Sequence, residues 1–305
     1  ELKEAARKAD FTPVALGLKA STSFANKSRE YMSQNVIGIL PGTKRPDEYV
    51  MHTAHWDHLG RCTPADDGDD ICNGAVDNAT GTAMLLQIAR QVGTTALDHT
   101  LVFVSLDGGR AGNLGALELG RQGENSASAF SPDRALAVVN LDSLGTAGRP
   151  RLLFGGDGGV FASPVLVATA DARAVDVTGR RADTPDPFTQ LLLLAAPVTL
   201  TDEAPLVRSG LSALTITTAG DQPVAAQDNG VGQLDARSLA AAGSTAQQLV
   251  STLDGSAAVA SGTAAYVYLG GRALRGWAIA LTLLAALLPV LASTVDLLAR
   301  CRRRR

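Results

Sequence analysis

Apolar runs of strand length alternate with a helix-type pattern in the first half of this chain, and this alternation limits the fold more than any other feature. Strand-like runs lie at 35–42, 49–54, 100–106 and 136–142, and apolar residues recur at helical spacing over 78–92. Strands that alternate with helices form mostly parallel sheets with helices on both faces. We therefore predict an α/β domain built on a mostly parallel mixed sheet.

The second half of the chain is rich in Ala and Gly and has weaker patterns. Residues 164–172 and 187–195 have helical features, 211–216 has the features of a strand, and 235–253 predicts an amphipathic helix that caps the domain. We divide the chain into a leading segment 1–34, an α/β domain 35–253, a linker 254–276, a membrane helix 277–298 and a basic tail 299–305.

The composition fits a folded α/β protein. Apolar residues make up 46% of the 305 residues, which is enough to build a core. The net charge is -3 and aromatic residues are 4%, so neither charge nor stacking surface favours nucleic acid as a partner. The chain begins at Glu1 without a signal-peptide pattern, and we expect its native N-terminus to be absent or processed.

A long uncharged run lies near the C-terminus, at 277–295. A membrane helix needs roughly 20 apolar residues, which this run and its neighbours supply. Five Arg residues follow the run, at 300 and 302–305, and two precede it, at 272 and 275. An Arg excess after the span predicts a cytoplasmic tail and a large domain outside the cytoplasm. The alternative is a hydrophobic helix that packs on the domain.

The cysteines agree with an extracytoplasmic domain. Cys62 and Cys72 bracket a short acidic loop, and a compartment outside the cytoplasm permits a disulfide between them. Such a bridge would stabilise the fold by about 2–3 kcal/mol. The alternative is a pair of unrelated buried thiols. Cys301 follows the apolar run, and we expect it to be reduced.

Potential metal ligands stand at or near the ends of the predicted strands. His55 and Asp57 form a His-x-Asp at the end of the second strand, and Asp142 ends the strand over 136–142. Asp77 belongs to a Gly-Ala-x-Asp-Asn-x-x-Gly motif that leads into the predicted helix. The carboxyl ends of parallel strands share one crevice, and zinc takes imidazole and carboxylate ligands. The pattern therefore predicts that these side chains converge on one crevice.

These motifs and their order resemble the zinc aminopeptidase family of the dizinc exopeptidase superfamily, which includes bacterial leucyl aminopeptidases and glutamate carboxypeptidase-like proteins. The resemblance implies the zinc exopeptidase fold and hydrolysis of peptide bonds by an activated water. It implies that His55, Asp77 and Asp142 bind the first zinc ion, and that Asp57 orients His55. It is strong as far as Asp142 and weaker afterwards.

The second half of the family's metal site does not match this chain. Gly109 stands at the position of the family's general-base Glu, and Arg110 stands at the position of a metal-binding Glu. The family's late metal-binding His has no counterpart, because no His follows His99. We therefore expect one zinc ion, with Arg110 as the counter-charge of Asp77 in place of the second ion.

Two functions follow from these departures. The first is a membrane-anchored zinc peptidase with reduced activity and peptide substrates, for which Asp107 and Glu203 are candidate substitute bases. The second is an inactive pseudopeptidase that binds peptides or a partner protein. A phosphate-binding turn at Gly108, Gly109 and Gly112 is a third reading of the same segment, with poor motif spacing.

The other histidines have structural readings. His58 is expected to be a neighbour of the site and not a ligand. His52 lies within a strand and is expected in the core, and His99 precedes a strand and is expected at the surface.

Overall fold

The computed structural model describes residues 34–62, 68–93, 95–123, 131–196, 201–220, 224–225, 229–256 and 261–303. The predicted leading segment 1–34 lies outside the described residues, apart from Gln34. Most of the predicted acidic loop and the last two residues of the predicted basic tail also lie outside them.

The described residues form strands and helices close to the predicted positions. The strands are β1 (Val36–Leu40), β2 (Arg45–His55), β3 (Gly60–Arg61), β4 (Ile71–Cys72), β5 (His99–Leu106), β6 (Ala135–Leu141), β7 (Arg151–Leu153), β8 (Phe161–Ala162), β9 (Ala213–Thr217), β10 (Thr263–Ala264), β11 (Tyr266–Leu269) and β12 (Arg272–Arg275). The helices are α1 (Thr80–Val92), α2 (Leu114–Gly123), α3 (Pro164–Thr178), α4 (Pro187–Ala195), α5 (Glu203–Arg208), α6 (Ala236–Asp254) and α7 (Gly276–Arg303). Each strand or helix that the periodicity predicts has a counterpart among them.

Six strands form the central sheet, in the order β1-β5-β2-β6-β9-β7. The four inner strands are parallel to one another, and the edge strands β1 and β7 are antiparallel to the inner strands they pair with. This confirms the predicted mostly parallel mixed sheet. His55 pairs with Leu106 where β2 and β5 end, so the carboxyl ends of the inner strands lie at one edge of the sheet.

The core explains why the inner strands have continuous apolar sequences. Every residue of β6 is buried, and so is every residue of β5 except Ser105, because helices cover the sheet. Helix α6 packs against α1 and α3, while α2 packs against α5. The helix starts follow common capping rules. Asp235 accepts the Ser238 N–H at α6, and Ser163 accepts the Val165 N–H at α3.

The segment that the sequence predicts as a linker, 254–276, is partly folded onto the domain. It contains β10, which pairs with β8, and the β11–β12 hairpin. Tyr266 and Tyr268 of this segment are buried, and the Tyr266 hydroxyl donates to the Ala162 carbonyl at 2.8 Å. Their rings pack with Phe154, and that of Tyr266 also with Phe161. Part of the predicted linker therefore packs on the domain through two aromatic side chains.

Helix α7 is the described helix that is long and apolar enough to cross a membrane. It has 28 residues and a mean hydropathy of 2.3 in its most apolar window, none of which is buried. The alternative of a helix packed on the described part of the domain is therefore not observed. The helix follows β12 directly, and the Gly276 N–H donates to the Ala265 carbonyl at 2.8 Å.

A disulfide joins Cys62 to Cys72 across the small β3–β4 hairpin. This hairpin lies between His55 and Asp77 in the sequence, so the disulfide shortens the free connection between two residues of the predicted site.

His99 is buried, and the expectation that it lies at the surface is wrong. Its ring Nδ1 is 2.7 Å from the Asp254 carbonyl oxygen, at the end of α6, and the Asp254 carboxylate accepts the His99 N–H. Contacts from a helix end 155 residues away cover it. His52 is fully buried and stacks on Phe103, as expected for a core residue.

Candidate metal centre

His55 lies at the end of β2 and is fixed on two sides. The Thr82 hydroxyl donates to the His55 carbonyl at 3.1 Å, and the ring Nδ1 is 3.0 Å from the Asp57 carbonyl oxygen. When Nδ1 donates to that carbonyl, the Nε2 lone pair is free to bind a metal. The backbone of the His-x-Asp motif thus orients the imidazole.

Asp77 and Asp142 lie on the Nε2 side of His55. Asp77 Oδ1 is 3.1 Å and Asp142 Oδ1 is 3.6 Å from Nε2. One potential ligand atom from each of the three residues lies within 4.8 Å of the other two, a spacing that one ion can bridge. The structure therefore brings together the three residues that the sequence predicts as metal ligands.

The turn that carries Asp77 is held by two asparagines. The Asn229 side-chain oxygen accepts the N–H groups of Val76 and Asp77, at 2.8 and 2.9 Å. The Asn78 side chain donates to the Leu141 carbonyl at 2.8 Å and accepts the Ser143 N–H at 3.2 Å, which ties the turn to the end of β6. Asn229 is fully buried, and no local motif in the sequence indicated its role.

The spacing of the Asp-Asn-x-x-Gly motif has a steric reason. A Cβ at Gly81 would lie 2.2 Å from the Asn78 side-chain oxygen and 2.5 Å from the Leu141 carbonyl oxygen. A larger residue there would push Asn78 away from β6, and with it the turn that carries Asp77.

Asp57 contacts both His55 and the turn that follows β5. Its carboxylate accepts the N–H groups of Gly109 and Arg110, at 2.8 and 3.0 Å, and lies 3.5 Å from His55 Nδ1. Burial alone would raise the pKa of Asp57, but the His55 ring and the two N–H groups lower it to about 2. Asp57 therefore fixes the turn after β5 with its carboxylate and contacts His55 with both its carboxylate and its carbonyl.

Gly109 and Arg110 lie in that turn, against the three potential ligands. A Cβ at Gly109 would be 2.7 Å from Cγ of the His55 ring, so this position has no room for a side chain unless the ring moves. The Arg110 guanidinium contacts Asp77 Oδ2. One oxygen of Asp77 thus faces His55, and the other faces a permanent cation.

Without a metal, the buried charges of the site compensate one another. Burial alone would lower the pKa of His55, but hydrogen bonds with Asp142 and Asp57 and the negative charges of Asp142 and Asp202 raise it to about 10. Burial alone would raise the pKa of Asp142, yet the contact with His55 keeps it below its ordinary value. Asp142 is therefore an anion that requires a cation beside it.

A cavity of about 320 Å³ opens beside these residues. The first turn of α5 contributes Asp202 and Glu203 to its lining, and both are buried. Glu203 accepts hydrogen bonds from the hydroxyls of Thr201 and Thr215. Neither carboxyl oxygen of Asp202 has a hydrogen-bond partner among the described residues. Burial raises the pKa of each of these two acids to about 7.

Asp202 was not among the residues predicted for the site. The sequence analysis selected Glu203 and Asp107 as substitute bases. The Asp107 carboxylate accepts the Gly108 N–H at 2.8 Å, and Asp107 is not one of the described residues that line the cavity. His58 lies beside the site and not in the ligand group, with Nε2 3.3 Å from the Asn229 side-chain nitrogen.

The donor set fits zinc. One imidazole nitrogen and two carboxylate oxygens are typical zinc ligands, and a catalytic site with three protein ligands keeps one position for water. A mixed α/β sheet that presents such a set at its strand ends, beside a cavity, defines a metal-dependent hydrolase type of protein.

Residues 35–250 match the model of peptidase family M28, and this chain belongs to that family. This membership agrees with the resemblance found in the sequence.

Individual relatives support the same family. The aminopeptidase NAALADL1 of Mus musculus is 29% identical over 132 residues, which cover 41% of this chain and 16% of the relative. A probable zinc metalloprotease of Pyrenophora teres f. teres (strain 0-1) is 32% identical over 112 residues, which cover 37% of this chain and 23% of the relative. The matches therefore span less than a quarter of these two relatives.

Solved structures share the fold. BSAP, a zinc aminopeptidase from Bacillus subtilis, has a TM-score of 0.55 at 20% identity, over 75% of this chain and 52% of that chain. A glutaminyl cyclase of Porphyromonas gingivalis has a TM-score of 0.54 at 20% identity, over 71% of this chain and 76% of that chain. This confirms the predicted zinc exopeptidase fold.

Proposed function

We propose that this chain is a membrane-anchored M28 protein that holds one zinc ion on His55, Asp77 and Asp142 and hydrolyses peptides weakly. The observation that carries the proposal is the contact of the Arg110 guanidinium with Asp77 Oδ2. A carboxylate that bridges two metal ions needs both oxygens for them. Asp77 has one oxygen left for a metal, because the other faces Arg110.

The charges of the site support a single ion. Asp77 and Asp142 bring two negative charges close to the His55 ring, and a zinc dication offsets them. Arg110 adds a permanent positive charge where a second ion would lie, and like charges at short range repel strongly in a partly buried site.

The residues of the site support the binding of zinc and of a peptide more clearly than they support peptide hydrolysis. Zinc, when bound, polarises a carbonyl and lowers the pKa of a bound water. Gly109 offers no side chain to take the proton of that water, and loss of a positioned base costs about 10²–10⁴-fold in rate. Glu203 lines the cavity, but both of its oxygens already accept hydrogen bonds from threonine hydroxyls.

The second candidate function is an inactive domain that binds peptides or a partner protein. The observation that favours it is the lack of space at Gly109, where a Cβ would lie 2.7 Å from Cγ of the His55 ring. The turn is packed in a way that leaves no room for the missing base. The zinc ion would then have a structural role beside the cavity.

Metal content and turnover test the proposal together. We expect one zinc ion per purified chain, lost in Asp77→Ala and kept in Asp176→Ala, which removes an exposed acid paired with Arg173 on α3. Two tightly bound zinc ions per chain would contradict the one-zinc site, and zinc content unchanged by Asp77→Ala would contradict the assigned ligands.

Turnover of aminoacyl-anilides separates the two candidate functions. Weak release of the chromophore that disappears in Asp77→Ala supports the peptidase. Full zinc occupancy without turnover on the whole panel supports the binding protein.

We also propose that the domain over 35–253 lies outside the cytoplasm, with 277–298 in the membrane and the tail 299–305 inside. The exposed apolar surface of α7, the Arg residues at its end and the disulfide between Cys62 and Cys72 support this orientation.

A further inference from the structure

We propose that Asp202, which lines the cavity without belonging to the group of metal ligands, binds an alkylammonium group of the ligand. The amine could be the free N-terminus of a peptide or the side chain of a lysine. This inference rests on the proposed function only in taking the ligand to be peptide-like, because the contact with the amine does not involve zinc.

The first support is the state of the Asp202 side chain. It is 2% exposed and lines the cavity, and neither carboxyl oxygen has a hydrogen-bond partner among the described residues. A buried carboxylate without hydrogen-bond donors is costly, because none of the described residues replaces the hydrogen bonds of the water it has lost. The neighbouring Glu203, equally buried, is bonded by two threonine hydroxyls. The missing partner is therefore a property of Asp202 and not of this turn.

The second support is the exclusion of a metal ion as that partner. Within the part of the chain that the structure describes, the one group of three or more potential ligand atoms close enough to share an ion is His55, Asp77 and Asp142. Asp202 does not belong to it. A cation that needs only one carboxylate, and that brings its own N–H donors, fits better.

The third support is the wall of the cavity. Leu153, Phe154 and Leu193 line it together with Asp202. An aliphatic chain can pack on these apolar side chains while its charged end reaches the carboxylate. The volume of about 320 Å³ is at the lower end of the range for small-ligand sites, and suits a residue of amino-acid size.

Three small probes test the proposal with the full chain in detergent, zinc-free, at pH 7, by calorimetry. Leucinamide carries only a terminal amine, Nα-acetyl-lysinamide carries only a side-chain amine, and N-acetyl-leucinamide carries neither. We expect one of the two amines to bind at least about ten-fold more tightly than N-acetyl-leucinamide, and that probe identifies the source of the amine.

The variant Asp202→Asn keeps the size of the side chain and removes its charge, and we expect it to abolish this preference. Asp176→Asn removes one exposed negative charge outside the cavity lining and should keep it. Equal binding of all three probes to the unmodified chain, or no binding of any, would overturn the proposal without a variant. So would an amine preference that Asp202→Asn retains.

Zinc measurements separate this result from the proposed function. Asp202→Asn should keep one zinc ion per chain, whereas Asp77→Ala should lose it. Loss of the amine preference in Asp202→Asn with zinc intact would show that Asp202, and not the zinc site, binds the amine. A wrong zinc stoichiometry would contradict the proposed function and leave the amine result standing.

Discussion

Asp77 shows at the scale of single residues how this site departs from a two-metal arrangement. Its Oδ1 is 3.1 Å from His55 Nε2, and its Oδ2 contacts Arg110. The side chain is buried, so each oxygen depends on the cation it faces. Changing one cation therefore changes what the other oxygen can bind.

We expect Arg110→Met to have opposite effects on stability and on zinc affinity. The zinc-free protein should lose about 1–3 kcal/mol, because buried Asp77 loses its counter-charge while Arg110 is partly exposed. Zinc should bind about ten-fold more tightly, because a positive charge that repels the ion is gone. Thermal unfolding with and without zinc measures both effects.

Arg134→Met is the matched control, since Arg134 pairs with Asp47 at an exposed surface position. Its effect on stability should stay within about 0.5 kcal/mol. Weaker zinc binding in Arg110→Met would show that the guanidinium supports the ion and does not replace one.

Gly109→Glu tests whether the missing base can be restored. The Cβ would lie 2.7 Å from the His55 ring, so we expect the ring to shift and zinc affinity to fall by about ten-fold, without a gain in turnover. Zinc titration and the anilide assay are the measurements. Gly220→Ala also adds a methyl group at the cavity, where nothing lies within 4 Å, and should change neither. A gain in turnover for Gly109→Glu would contradict this account of the turn.

The residues of the site differ in how well a sequence can predict them. His55, Asp57, Asp77 and Asp142 follow strands or lie in a spaced motif, and parallel topology brings strand ends together. The Asn229 contact joins residues 152 and 153 positions apart, and nothing local indicates it. Asp202 stands beside Glu203 in the sequence, and only the threonine contacts show which of the two acids lacks a partner.

At the scale of elements, the first turn of α5 places two buried acids beside the cavity. In the zinc-free protein, burial raises the pKa of Glu203 from its ordinary value of 4.5 to about 7. Between these values the unfolded chain releases the proton and the folded chain keeps it. The contribution of Glu203 to stability is therefore full below pH about 4.5 and is lost as the pH rises towards 7.

We expect Glu203→Gln to flatten the fall of the unfolding free energy over this pH window. Each unit of raised pKa is worth about 1.4 kcal/mol. Urea unfolding of the zinc-free chain and the variant, at several pH values between 4 and 8, gives the two curves. Parallel curves would show that Glu203 does not keep its proton in the folded state.

The elements of the α/β core were predictable, and the small sheets were not. Strands β2, β5 and β6 have continuous apolar sequences because both of their faces are covered, and α1 and α6 have helical periodicity. Strands β8 and β10 have two residues each, which is too short for any periodicity. The β11–β12 hairpin follows a run of small residues, and its tyrosines are among the few residues there whose type indicates a strand.

At the scale of the whole molecule, cysteine labelling tests the proposed orientation of α7 in the membrane. Cys301 is a free, exposed cysteine at the end of α7, whereas Cys62 and Cys72 are in a disulfide. We expect a membrane-impermeant maleimide to label Cys301 only after the cells are permeabilised, because the tail is proposed to be cytoplasmic. Asp176→Cys in a Cys301→Ser background should be labelled in intact cells. Labelling of Cys301 in intact cells, with Asp176→Cys labelled only after permeabilisation, would show the opposite orientation.

The direct join between the domain and α7 has a mechanical consequence. Helix α7 starts at the residue after β12, and the Gly276 N–H is bonded back to Ala265. With α7 embedded in a bilayer, the domain cannot swing on a long tether, so the mouth of the cavity keeps a nearly constant height and tilt above the lipid. A molecule anchored in the same membrane would then enter the cavity only if it extends from the lipid to that height.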